Sequence, residues 1–442
     1  MSSSSPPALP AFPARTKPRQ SRARWSFPLY LILIVLIQLN TQKVLYDLLG
    51  LSMDLGSSHP VLLIWAFILL FLLVLAAARF FRTTRIQRAE IWAALFLLVC
   101  AAHGLIIGAA SGPTTGIFAF LAWGISIGVF FQVGRAASCD GPQFVIYMLV
   151  LGGVINAAPV IWESVNGIAI FKAVTVANQT RLYGISQSIS ILGLQLAVGI
   201  IASMYLLLTS KRKIVVSAIL ILQFWALIFS TSRGPLIYMI IALVIITSLL
   251  PSSPEKKMFW ALLLGSLISF LLFLILIFPI QIANESKLSF LLTALTGGDT
   301  GNNERIGYYL EALDLLFSNF TELILGRGAG MLSLVEARSG GYETNVESSV
   351  LKLFLELGVI GAVPFFAVVV SLLGTGLRNW TRKRDMRSLF LLGCFMVVLL
   401  QMTTQELLKA WIGSVYFWLI AGGLLHAKLI DRDFHRLERA KY

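Results

Sequence analysis

Apolar runs of about 20 residues recur almost from end to end of this chain, and they constrain its fold more than any single motif does. Inside a bilayer such a run must satisfy its own backbone hydrogen bonds, which a helix does. Twelve segments can be marked, at 27–48, 60–80, 90–110, 114–134, 143–162, 186–209, 213–230, 234–250, 258–279, 348–373, 388–403 and 406–426. Asn40, Gln42, Lys43 and Asp47 interrupt the second half of the first, and the break between the last two is short. Composition agrees with this reading. Charged residues are 13% of the chain and apolar residues 57%, whereas a soluble domain carries about 25% charge. Part of the solvent must therefore be lipid, and the domain count that 442 residues suggest for a soluble protein lapses.

Lys and Arg set the orientation, because cytoplasmic connections hold the excess of both. With the N-terminus inside, the inner connections and tails carry 25 of the 35 basic residues and the outer connections carry 8. The other two, Lys352 and Lys409, fall inside apolar segments. The net charge of +14, which in a soluble protein would suggest nucleic acid, is thus mostly a topology signal, and no nucleic-acid partner is expected. The expected fold is all-α: a polytopic membrane protein of about 12 transmembrane helices. A disordered basic tail (1–25) precedes a membrane domain (26–427), and a second basic tail (428–442) follows, both tails being cytoplasmic. One large outer loop, 281–347, should contain short amphipathic helices.

Several function classes lack their residues. Cys100, Cys139 and Cys394 have neither zinc spacing nor a disulfide pattern, and the four histidines are scattered, so no metal or other cofactor is expected. No Walker-type phosphate loop or dinucleotide glycine pattern appears, which speaks against ATP-driven work. Met1 to Arg24 lacks the small-residue cleavage site of a signal peptide. No internal repeat is evident.

The few outer arginines run against the charge bias, so each needs a reason. Arg181 stands in Thr180-Arg181-Leu182-Tyr183-Gly184, just before the sixth segment. Arg233 follows Ser230-Thr231-Ser232 in a tight connection and should begin a helix, where backbone N–H groups favour an anion. Arg305 begins a stretch whose apolar residues, Ile306, Tyr309, Leu310, Leu313, Leu316 and Phe317, recur at three and four, as on an amphipathic helix lying near the membrane surface. Arg327 lies in the glycine turn Gly326-Arg327-Gly328-Ala329-Gly330. A guanidinium can grip a phosphate in two places; the plainer alternative for each is a neighbouring acid or a lipid headgroup.

Acidic residues gather where the tenth segment begins: Glu343, Glu347 and, within the run, Glu356 with Lys352. Glu347 at the membrane boundary can serve as a general base, or simply as an acid favourable to a helix N-terminus. Lys352 and Glu356 are four apart and share a helix face, where they would neutralise one another; Glu406 and Lys409 form a similar pair.

Taken together, four stretches resemble the O-antigen polymerase and O-antigen ligase superfamily, multi-spanning enzymes that transfer lipid-linked glycans at the periplasmic face. They are Arg181-Leu182-Tyr183-Gly184, Ser232-Arg233-Gly234, Arg305 with Leu325-Gly326-Arg327-Gly328-Ala329-Gly330, and the run from Glu347 to Gly361, in the family's order. The resemblance covers about 180 to 375; the first five segments match by hydropathy alone. Ligases of the family usually open the last motif with His-Asn, where this chain has Glu347 and Ser348, and polymerases often carry an acidic residue and Ser there.

The resemblance implies a glycosyltransferase of the bacterial inner membrane that joins polyprenyl-pyrophosphate-linked oligosaccharide repeat units at the periplasmic face. Arg181, Arg233 and Arg327 would bind the pyrophosphate and glycan, Arg305 would stabilise leaving-group charge, and Glu347 would accept the acceptor's proton. Membrane lipid is an expected partner, and a separate protein that sets chain length is left open. Two alternatives stay open: ligase-type transfer to lipid A–core or another acceptor, and a transporter or flippase for a lipid-linked glycan. A binding or scaffold protein without catalysis is a third.

Overall fold

A computed structural model describes residues 86–111, 126–140, 143–166, 173–176, 179–182, 185–186, 188–230, 232–250, 260, 300–328, 346–405, 407 and 411–426. The segments expected at 27–48 and 60–80 lie outside the described residues, as do 258–279 apart from Trp260, the first part (114–125) of the fourth segment, both tails, Glu343, Glu406, Lys409 and most of the rest of the 281–347 loop. In chain order the helices are α1 (Arg88–Ser111), α2 (Gln132–Asp140), α3 (Phe144–Asn166), α4 (Ile189–Thr209), α5 (Lys213–Phe229), α6 (Arg233–Leu249), α7 (Thr300–Ser318), α8 (Phe320–Leu325), α9 (Ser349–Lys383), α10 (Met386–Thr404) and α11 (Trp411–His426). A π-helical turn, Ser126–Phe131, leads into α2.

Among the described residues five helices are long and apolar enough to cross a membrane: α1, α3, α4, α9 and α10. α5, α6 and Gly413–Leu425 within α11 are shorter apolar helices. The helical class is as expected, with one amendment. A short antiparallel ribbon, β1 (Ala173–Val176) and β2 (Gln179–Leu182), stands between α3 and α4 and pairs Val174 with Arg181. Its residues alternate too briefly to stand out beside the long apolar runs.

α4 is the axis of the bundle. Its side chains from Ile191 to Leu207 are all buried, and α3, α5, α6 and α10 pack around it. Lipid tails are as apolar as leucine, so burial in a membrane needs close packing and polar ties rather than expulsion from water. The aromatic cluster supplies the packing. Phe365 of α9 lies 5.4 Å from Phe96 of α1 and 5.5 Å from Phe417 of α11, whose ring is 5.2 Å from Phe395 of α10. Such ring pairs contribute about 0.5–1.5 kcal/mol each beyond their area.

Polar ties cross the same core. Gln223 of α5 donates to Val150 O of α3 at 3.0 Å and accepts from Ser203 Oγ of α4 at 2.9 Å. Arg135 of α2 forms a buried ion pair with Glu90 in the first turn of α1. The other Glu90 oxygen accepts from the Gln87 amide at 2.7 Å, and Gln87 Nε2 reaches Leu425 O of α11.

The tight connections after α4 and α9 lie at one end of the bundle, where Tyr205 of α4 meets Phe390 of α10 at 5.7 Å. Lys211, Arg212, Lys213, Arg382, Lys383, Arg384 and Arg387 collect there. α9 runs on to Lys383, ten residues past the end expected at 373, which carries its last turns to this basic end. The starts of α4, α6 and α9 lie at the opposite end with the close of α10, and that end is where the sequence motifs gather.

Candidate active site

The closing motif forms the start of α9. Ser348 caps the helix, its hydroxyl accepting from Leu351 N at 3.3 Å, and Glu347 stands half-buried just before it. Ser349 faces the other way. Its hydroxyl donates to Gln405 O at 2.9 Å and accepts from Leu407 N at 2.6 Å, while its own amide donates to Gln405 O at 3.2 Å. One serine therefore fastens the start of α9 to the chain leaving α10, and it holds Glu347 beside that junction.

Two tyrosines meet the last turn of α10. Tyr238 of α6 shares a hydrogen bond with Thr404 Oγ1 at 2.9 Å, and Tyr309 of α7 donates to Thr404 O at 3.4 Å. Tyr238 is five residues along α6 from Arg233, a rise of about 7 Å. Tyr309 is one turn beyond Arg305 in α7. The end of α10 thus gathers the starts of α6 and α9 and the third turn of α7.

The glycine turn is built onto α9 itself. Gly358 has φ 62° and ψ −169°, a backbone state that is essentially glycine's alone, so the ladder of α9 breaks there. The carbonyls of Leu355 and Glu356 then accept from the amides of Arg327 and Gly328, both at 2.8 Å. Gly326, at φ 76° and ψ 171°, closes α8 in the same glycine-only region. The expected "Leu-Gly-x-Gly" turn and the Gly358 of the closing motif are two halves of one joint.

Arg233 is the first residue of α6. Its predecessor Ser232 is buried and packs on Gly193 of α4, where a Cβ would lie 2.7 Å from Pro235 and closer still to the serine. Bare backbone at 193 lets the Ser-Arg-Gly start seat deeply, with Arg233 half-buried at its rim. Arg181 lies on β2. Just beyond that strand Ser186 is buried, its hydroxyl within hydrogen-bond reach of Gln195 Oε1 at 2.5 Å and Asn156 Oδ1 at 3.1 Å. Its single proton serves one of them at a time. Asn156 is on α3 and Gln195 on α4, half a turn from Gly193, so Ser186, four residues past the ribbon, ties this stretch to the helix that seats Arg233.

The expected residues fall into three groups. Arg233 and Glu347 stand at helix starts beside the end of α10. Arg181 and Arg305 are fixed by their backbones on β2 and within α7, and their side chains lie outside the described residues. Arg305 does not begin its helix, because α7 starts five residues earlier at Thr300. Arg327 pairs with Glu322 of α8 at 2.6 Å, each side chain about a third exposed, which is the neighbouring-acid alternative.

The apolar positions of α7 also divide. Leu316, with Ala312, packs inward on Val346 and Leu355, while Ile306, Leu310 and Phe317 are exposed. Lys352 and Glu356 are both buried on one face of α9. Sequence reasoning missed Tyr238, Ser349, Gln401 and Thr404 and read Tyr309 only as an apolar position of its helix; for Gln401 and Thr404 the interruption Gln401-Met402-Thr403-Thr404-Gln405 in an apolar run was the available signal.

Among the described residues no group of histidine, cysteine, aspartate or glutamate could hold a metal ion. No curated protein matches the chain. The stretch from within α5 to within α9, which holds Arg233, Arg305, Arg327 and Glu347 but not Arg181, matches the family model described as O-antigen ligase; the chain carries a domain of that family across residues 218–366, in keeping with the O-antigen ligase and polymerase superfamily.

Proposed function

We propose that this protein is a glycosyltransferase that joins polyprenyl-pyrophosphate-linked oligosaccharide repeat units at the periplasmic face of the inner membrane. The family match supports a membrane glycosyltransferase-type role in O-antigen or polysaccharide assembly, and the apolar helices suggest an integral inner-membrane protein. The observation that carries the finer reading is the meeting of three separated motifs at the end of α10, through Tyr238, Tyr309 and Ser349. The basic cluster at the far end supports a cytoplasmic location there, which leaves the motif end periplasmic.

In this reading Arg233, with the N–H groups that begin α6, holds the pyrophosphate. Arg181, Arg305 and Arg327 add positive charge around it, Arg327 on release from Glu322. The acceptor hydroxyl oxygen attacks the anomeric carbon, and its proton passes to the Glu347 carboxylate. The bond from that carbon to the pyrophosphate oxygen breaks, and the polyprenyl pyrophosphate departs with the electron pair, its charge held by the arginines. Glu347-Ser348, in place of the ligases' His-Asn, favours a polymerase.

A second reading is ligase-type transfer to lipid A–core or another acceptor, favoured by the description of the matching family. The deciding experiment is deletion of the gene and examination of the cell's surface glycan. Acceptors capped with a single repeat support the polymerase. Undecorated acceptors with polymer left on its carrier support the ligase. An unchanged surface glycan rejects both.

A further inference from the structure

Gln401 is 1% exposed on the last full turn of α10, and its Oε1 is buried without a hydrogen-bond partner among the described residues. An amide oxygen left so in a membrane bundle costs free energy that a leucine of similar shape would not; Asn379, Ser414 and Trp418 also carry such buried atoms, and that of Gln401 is the one set against the start of α6. Its surroundings point to a ligand. Gln401 lies one turn before Thr404, where Tyr238 and Tyr309 converge, and opposite the first turn of α6. The α6 residue facing it is Gly234: a Cβ there would stand 3.6 Å from Gln401 Oε1 and 3.4 Å from the Tyr238 ring. Those are ordinary contacts, so the fold does not demand glycine at 234. What glycine leaves at 234 is bare backbone against the amide, next in sequence to Arg233.

We propose that Gln401 is a glycan-recognition residue, its Oε1 accepting a hydrogen bond from a hydroxyl of the sugar next to the pyrophosphate held by Arg233. The inference rests on the glycosyltransferase reading and deepens it: Arg233 reads the anion and Gln401 reads the sugar. Gly234 leaves bare backbone where the hydroxyl approaches the amide as α6 and α10 part to admit the sugar, and the Tyr238–Thr404 pair lies beside that approach.

The test uses full-length protein in lipid nanodiscs with two probes, bare polyprenyl pyrophosphate and the same carrier bearing one repeat unit. Wild type is expected to bind the glycosylated carrier more tightly than the bare one. Gln401→Leu should weaken the glycosylated carrier about fivefold to tenfold and leave the bare carrier unchanged. Its thermal midpoint should stay level or rise, since a buried unsatisfied oxygen has gone. Gly234→Ala should weaken the glycosylated carrier alone. Wild-type preference in Gln401→Leu overturns the proposal, and so does a fall in both affinities together with the thermal midpoint, which would mark a structural role. Failure of the parent reading shows separately: Arg233→Ala would then bind the bare carrier as well as wild type does.

Discussion

Gly326 and Gly358 lie backbone against backbone, so that a Cβ built on either would stand 2.5 Å from the amide nitrogen of the other. Both also hold φ values that side chains rarely adopt, 76° and 62°. Alanine at either position should cost about 1–3 kcal/mol through backbone strain, with the steric overlap added to it. Thermal unfolding in detergent measures the loss, and a wild-type midpoint for Gly326→Ala would mean that the joint between α8 and α9 is not formed.

Ser349 spends its hydroxyl on both Gln405 O and Leu407 N. Ser349→Ala should therefore remove two hydrogen bonds at the junction, at a cost of about 1–3 kcal/mol, while the Leu407 amide keeps Gln405 O as its acceptor at 3.0 Å. The junction it fastens also holds Glu347, so transfer activity should fall further than the thermal midpoint accounts for. Equal, small effects on both would remove the link between this serine and the site.

Arg233→Ala should leave the protein's abundance in the membrane intact and abolish or shorten the polymer, as should Arg305→Ala. Lysine restores a point charge but not a two-pronged grip, so Arg233→Lys should recover activity only in part. Full recovery by lysine would reduce the residue's role to charge alone. Glycan ladders on gels, set against blots for protein amount, supply the readout.

Glu347→Gln keeps the shape of the side chain and removes its capacity to accept a proton. Chain lengths should collapse to single repeats while binding of the lipid-linked donor persists. Wild-type lengths in this variant would return Glu347 to the role of a helix-start acid.

The buried pair of Glu90 and Arg135 should respond differently to single and double replacement. Glu90→Gln or Arg135→Met alone leaves a charge stranded and should cost about 3–5 kcal/mol. Replacing both by apolar residues of similar volume should recover most of that loss. The double-mutant cycle, read from unfolding midpoints, fails this account if the two losses simply add.

Hydropathy located the eight apolar helices that the structure describes after 140 or at 88–111 because lipid enforces one simple rule over every turn, and α3, α4, α5 and α6 start or stop within four residues of the expected bounds. Ends that depart from the rule were less legible. α9 outruns its apolar stretch because Arg378, Arg382 and Lys383 extend it toward the basic end, and hydropathy stops counting at the first charge. The ribbon at 173–182 is too short for its alternation to register. Among the candidate site residues, arginines stood out because charge is scarce in the connections that the sequence reading places outside. Gln401 and Thr404 did not, since uncharged polar residues within an apolar run gain meaning only from their neighbours across helices. Nothing in the spacing of Gly326 and Gly358 announced that they touch, as 31 residues of sequence separate them.

The joint at Gly358 also bears on how the protein matures. A helix that enters lipid with two carbonyls released from its ladder cannot rest there, since no water is present to receive them. For α9 the amides of Arg327 and Gly328 fill that need. Docking of the Arg327–Gly328 turn is therefore part of completing α9, and loss of that turn should leave the helix with two carbonyls unpaired.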